Sequence, residues 1–143
     1  MAKVSFNLPD DFLDSISRLE KQTDDIIPKV LEAGGEVVHA KVRSNLRSVI
    51  GRDIKFKARS TGELLSALGI SPAKVDRNGN YNIKIGFSEP RRAKISNAML
   101  ANILEFGKHG QPPKPFMRPA RTASRTPAIE AMKRKMEDEI KKL

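Results

Sequence analysis

The sequence predicts an α+β fold in which a small antiparallel sheet packs against one long helix, several shorter helices and a C-terminal helix. Two observations carry that expectation. Ile27, Val30, Leu31, Gly34, Val38, Val42, Leu46 and Val49 recur at spacings of three and four, an apolar stripe about six turns long. Tyr81, Ile83, Ile85 and Phe87 alternate with polar neighbours behind an Asn78-Gly79-Asn80 turn, the pattern of a half-buried strand in a β-hairpin.

The elements follow in chain order. Val4, Phe6 and Leu8 alternate and read as a short strand. Pro9 suits a first helical turn, with Asp10 and Asp11 near its positive end, and Phe12, Ile16 and Leu19 continue at helical spacing to about Lys21. Thr23, Asp24 and Asp25 are cap candidates and Pro28 fits only a first turn, so a break is expected near residues 22–25 and the main helix after it. Gly34-Gly35 lowers helix propensity mid-stripe and allows close approach of another backbone. Gly51 ends that helix, and residues 51–60 read as an exposed or mobile basic loop. Ser60 or Thr61 can cap a short helix carrying Leu64, Leu65 and Leu68. A strand is expected around Ala73 to Val75, then the turn and the alternating strand. After a basic loop from Glu89 to Lys94, residues 97–106 read as a helix stopped by Gly107. Residues 107–119 are a Gly/Pro-rich crossing segment, and Thr126-Pro127 opens a C-terminal helix over 126–143. One domain spanning 1–143 is expected, since 143 residues is the size of an ordinary single domain.

Composition narrows the function. A hydrophobic fraction of 38% and a charged fraction of 31% fit a globular protein, and with 6 Phe, 1 Tyr and no Trp its core should be mainly aliphatic. Without cysteine there is no disulfide framework, thiolate site or thiol nucleophile, which favours intracellular synthesis. No apolar run approaches a membrane span of about 20 residues, and the opening residues lack a signal peptide's apolar stretch. The expectation is a chain kept in the cytoplasm unless carried out inside a particle. The net charge of +10 permits contact with nucleic acid, an acidic protein or an anionic surface. The excess is local: Lys41, Arg43, Arg47, Arg52, Lys55, Lys57 and Arg59 oppose only Asp53.

No catalytic or metal constellation stands out, and no cofactor is called for. His39 lies in the long helix and His109 in a Gly/Pro loop, with no second histidine at ligand spacing. Asp10-Asp11 and Asp24-Asp25 lie at expected helix starts, where capping accounts for them. The segment from Gly107 to Lys114 lacks the Gly-Lys-Ser/Thr ending of a phosphate loop.

Three segments in fixed order carry a resemblance. They are Thr61-Gly62-Glu63-Leu64-Leu65-Ser66 before the hairpin, Leu104-Glu105-Phe106-Gly107 closing a helix, and Pro113-Lys114-Pro115-Phe116-Met117-Arg118-Pro119-Ala120. Together they resemble the phage tail-component family named after the gene-ten product of phage HK ninety-seven, over nearly the whole chain. Lys108 follows Gly107 where members often have threonine, and the loop after it is short, so loop contacts do not transfer.

The resemblance implies a structural virion protein of the neck or tail, acting in head–tail joining or tail completion. It implies docking to other neck and tail proteins, with a homo-oligomeric ring as one arrangement, assembly in the host cytoplasm, and no enzyme activity. The partner-binding candidates it implies are Leu104, Glu105, Phe106, Gly107, Pro115, Phe116, Met117, Arg118 and Pro119. Beside it, Phe106 and Phe116 read as core or interface aromatics that pack near each other and the long helix. Glu105 reads as a partner for Arg118 or a cap for backbone groups. Arg47, Arg52, Lys55, Lys57 and Arg59 would face DNA or an acidic partner. The alternative function is a small basic nucleic-acid-binding protein gripping phosphates through residues 41–59 without sequence preference. It lacks stacking aromatics and a recognisable DNA-binding motif.

Overall fold

The computed structural model describes residues 10–50, 61–89 and 96–143. The expected strand at Val4, Phe6 and Leu8 and the basic loop 51–60 lie outside these residues. Four helices and one interrupted hairpin make up the rest, an α+β architecture as expected.

Helix α1 runs unbroken over Asp10–Val49, so the break expected near residues 22–25 is absent. Pro28 lies deep inside it and removes the hydrogen bond that its N–H would have given the Asp24 carbonyl. Side chains on both sides of Pro28 hold the helix together. Ile26 and Val30 are buried at 2% and 6% exposure, Asp25 pairs with Lys29 at 3.2 Å, and the Asp24 carboxylate accepts a hydrogen bond from the Tyr81 hydroxyl. The aspartates that read as caps are surface residues with partners elsewhere.

Helix α2 covers Thr61–Ala67. Leu68, expected at its end, instead opens strand β1 (Leu68–Ile70), which was not foreseen. β2 (Lys74–Val75), β3 (Tyr81–Asn82) and β4 (Ile85–Phe87) complete the hairpin, with β1 antiparallel to β4 and β2 to β3. Leu68 faces Phe87 and Ile70 faces Ile85, while Val75 faces Tyr81. Between the two ladders residues 71–73 oppose only residues 83–84, so one extra residue bulges out and splits the long strand expected over 81–87. Pro72 sits in that bulge, where a missing N–H costs least. The turn is built by Asp76, whose Oδ1 accepts from the N–H of Asn78 at 2.8 Å and of Asn80 at 2.9 Å. Gly79 takes φ +81° there.

Helix α3 (Asn97–Phe106) forms as expected. Helix α4 covers Met117–Lys141 and begins nine residues before the start read at Thr126. Pro127 is therefore internal, and Pro119 falls in the first turn, where proline is tolerated.

Helices α1 and α4 lie antiparallel. Asn45 Nδ2 donates to the Phe116 carbonyl at 3.2 Å near one end, and Lys29 meets Glu139 at 3.6 Å near the other. Ala120, Ser124 and Ala128 form a buried row at i, i+4, i+8 whose small side chains permit close approach. Glu139 is 6% exposed and ringed by Lys29, Lys135 and Lys142. Burial pushes its carboxyl up, but the lysines outweigh that and hold it below the ordinary value.

The paired glycines serve two neighbours. A Cβ on Gly34 would lie 2.6 Å from Met132 Cγ and Sδ of α4, and one on Gly35 would lie 2.8 Å from Ile70 Cδ1 of the hairpin. Gly34→Ala gains about 1 kcal/mol of helix propensity yet forces Met132 from its seat, and overpacking of that kind costs about 1–3 kcal/mol. A lower melting temperature is expected; an unchanged or higher one would show that Met132 repacks freely.

The main core joins the four helices to one ladder of the hairpin: Val42 and Leu46 from α1, Leu64 from α2, Leu68 from β1, Ala101 from α3, and Phe116 and Ala120 at the start of α4, with Ile85 and Phe87 of β4 packed against them. Among the described residues no helix is long and apolar enough to cross a membrane.

Candidate functional site

Helix α3 stops at Gly107, whose φ of +76° suits glycine and whose N–H bonds the Ile103 carbonyl at 2.8 Å. A Cβ there would lie 2.8 Å from both the Gln111 carbonyl oxygen and the Pro113 nitrogen, so the position also needs glycine for space. Lys108 and Gln111 exchange backbone hydrogen bonds at 3.0 and 2.9 Å, closing a tight turn. The Lys114 N–H then returns to the Leu104 carbonyl at 2.6 Å. The proline-rich chain thus runs back along the end of α3 and delivers Phe116 to the core.

Glu105 makes the junction. Its Oε2 accepts from the backbone N–H of Phe116 at 2.9 Å and of Met117 at 2.8 Å, and its Oε1 from that of Arg118 at 2.9 Å. These are donors at the start of α4 that no residue within the helix can satisfy. A carboxylate there also complements the helix dipole. Partial burial pushes the Glu105 carboxyl up, but the three N–H groups and the Arg118 charge pull harder, so it lies below the ordinary 4.5. This capping explains why α4 can begin at Met117 with no side-chain cap from Phe116 itself.

Helix α3 begins by a similar device that the sequence reading missed. The Glu89 carboxylate accepts from the N–H of Asn97 at 2.8 Å and of Ala98 at 2.9 Å, while Ser96 Oγ accepts from Met99 at 3.1 Å. Ser96 carries the usual local cap signal; Glu89, eight residues upstream of Asn97, carries none.

The sequence candidates sort into three positions. Phe116 is 1% exposed and meets Phe87 edge-on, with ring centroids 6.2 Å apart at 75°. Phe106 is 64% exposed, so of the two rings expected in core or interface positions only Phe116 is a core aromatic; the ring it meets edge-on is Phe87, while Phe106 lies on the surface of the same groove. Leu104 and Met117 pack against the core from its edge. Pro115, Arg118 and Pro119 are exposed, as is Arg47 in the last turn of α1. Arg52, Lys55, Lys57 and Arg59 lie outside the described residues.

Beside the junction is an open groove of about 610 Å³. Its floor comes from Val38 and Val42 of α1, Phe116, and Ile85 to Phe87 of β4. Ala98, Ala101, Glu105 and Phe106 of α3 form one wall, and Met117, Arg118 and Arg121 of α4 form the other. The motif residues Glu105, Phe106, Phe116, Met117 and Arg118, separated in sequence, thus border one concavity. Among the described residues no group of three or more His, Asp or Glu side chains is placed to hold a metal ion. His39 Nε2 is enclosed with no hydrogen-bond partner there, and His109 is exposed in the turn.

Fold and site together define a helix-rich α+β structural module whose signature residues build a capped helix junction and the groove beside it. The family model of HK97-gp10-like bacteriophage tail components matches residues 10–107, and the chain belongs to that family. The match takes in the Thr61–Ser66 and Leu104–Gly107 segments and ends at Gly107, so the proline-rich block and α4 lie beyond it. No curated protein and no solved structure matches the chain.

Proposed function

We propose that this tail component is a structural assembly protein of the phage neck or tail, acting in head–tail joining or tail completion by docking to other virion proteins, without catalysis. The observation that carries this reading is the groove, together with Phe106, a large apolar side chain left 64% exposed on its rim. Among the described residues nothing covers this phenylalanine at the end of α3, and a docking partner would. In this reading the protein is made in the host cytoplasm and retained in the virion, and a ring of copies is one arrangement in which it would meet its neighbours.

The test is complementation of a phage lacking the gene with a Phe106→Ser variant. Because Phe106 is exposed, the variant should melt within about 0.5 kcal/mol of wild type while completed, infectious particles fall sharply. Full particle yield from a folded variant would remove Phe106 from any assembly contact.

A second reading, non-sequence-specific DNA contact, draws on the net charge of +10 and on exposed Arg47, Arg118, Arg121 and Arg125. It requires duplex binding that weakens steeply with salt. Binding that ignores salt, or none, would dismiss it.

A further inference from the structure

The groove has a charge as well as a shape. Arg118 and Arg121 line its α4 wall and Arg125 follows one turn later on that side of the helix, all three exposed. None of them makes an ion pair among the described residues, although Lys29, Lys135, Lys142 and Arg134 all do. The carboxylate on the groove wall, Glu105, spends its oxygens on three backbone N–H groups. The Arg118 charge acts on Glu105, and no carboxylate among the described residues lies within ion-pair distance of Arg121 or Arg125.

We propose that this groove receives an acidic segment of a partner protein, an apolar side chain seated on the floor between Phe106 and Met117 and flanking carboxylates meeting Arg118, Arg121 and Arg125. The inference rests on the docking reading and names the chemistry of the occupant. A second copy of this chain fits the groove less well, because with 27 Lys and Arg against 17 Asp and Glu it offers the arginines fewer carboxylates than an acidic partner would. Nucleic acid would use the arginines but has no need of an apolar floor under an exposed phenylalanine. Carboxylates suit arginine forks through paired N–H···O bonds, which fix orientation, while the floor supplies the buried anchor on which affinity depends.

The probe is a short fluorescein-labelled synthetic peptide with one phenylalanine between two glutamate pairs, titrated by anisotropy against the full chain at low salt. Saturable binding is expected, and peptides with glutamine for glutamate, or serine for phenylalanine, should bind about tenfold more weakly or worse. Arg121→Glu and Ala98→Trp, which reverses one rim charge and fills the groove from an exposed position, should each weaken the glutamate peptide comparably while melting like wild type. Absence of saturation up to about 1 mM peptide, or equal binding of either control peptide, overturns the proposal. So does a DNA duplex that binds more tightly than the peptide and is unaffected by Ala98→Trp.

Complementation with the same two variants separates this inference from the docking reading. Lost particles with a peptide that never bound wild type would leave docking standing and remove the acidic segment. Full particle yield with a peptide that binds as expected would keep the groove's chemistry and remove its role in assembly.

Discussion

Replacing Phe116 by alanine is expected to destabilise the fold by about 3–5 kcal/mol, a large part of a total of roughly 5–15 kcal/mol. The side chain is 1% exposed and shares one buried cluster with Val42, Leu46, Leu64, Leu68, Ala101 and Ala120. These neighbours come from both long helices, both short helices and the hairpin, so no single element can move in to fill the space. The edge-on contact with Phe87 is lost as well. Denaturant unfolding should show the midpoint falling with little change in slope. Phe106→Ala, made in parallel, should leave stability within about 0.5 kcal/mol of wild type, because that ring is 64% exposed. A Phe116→Ala protein within about 1 kcal/mol of wild type would mean that the ring is not the centre of the core. The contrast also sharpens the assembly test: particles lost with Phe116→Ala report on folding, whereas particles lost with a Phe106 variant report on contact.

What the sequence showed clearly was what local pattern determines. The stripe through Val30, Val42 and Leu46 is the buried face of α1, the Asn78–Asn80 turn closes the hairpin, and Gly107 ends α3. The failures share a cause, a local signal overruled by a partner distant in sequence. Asp24 and Asp25 beside Pro28 have the composition of a helix start, yet Tyr81, Lys29 and the burial of Ile26 and Val30 keep α1 continuous. Thr126-Pro127 has the composition of another start, but the helix is already running because Glu105, twelve residues before Met117, caps it. Phe106 and Phe116 could not be told apart by composition, since each lies near a Gly- or Pro-rich stretch; which one turns inward is decided by the return of the chain onto Leu104. The motif residues of the candidate site were legible as a set, and their arrangement around a groove was not, because α3 and α4 are brought together by that return and by the Glu105 cap, neither of which leaves a local pattern.

Glu105 should therefore matter to stability out of proportion to its place on the surface, and in a pH-dependent way. Glu105→Ala leaves the N–H groups of Phe116, Met117 and Arg118 without their acceptor at a helix start; part of that loss is made good by water, and about 2–3 kcal/mol of destabilisation is expected. Glu105→Gln keeps the shape but turns a charged acceptor of three bonds into a neutral amide, and should lose part of that amount. The sign with pH follows from the carboxyl's lowered value. Its stabilisation is complete above the ordinary 4.5 and disappears as pH falls through the lower value it has in the folded protein. Wild-type melting temperature should therefore be flat near neutrality and decline on acidification below about pH 5. Glu105→Gln should start lower at neutral pH and decline less, the two curves drawing together in acid. Some slope should survive in the variant, because Glu139, also held below its ordinary value among Lys29, Lys135 and Lys142, loses its pairs in the same direction. Parallel curves separated by a constant gap would assign the loss to packing instead of charge. Coincident curves would show that α4 starts at Met117 without help from Glu105, and the junction that places Arg118 and Met117 on the groove wall would then need another cause.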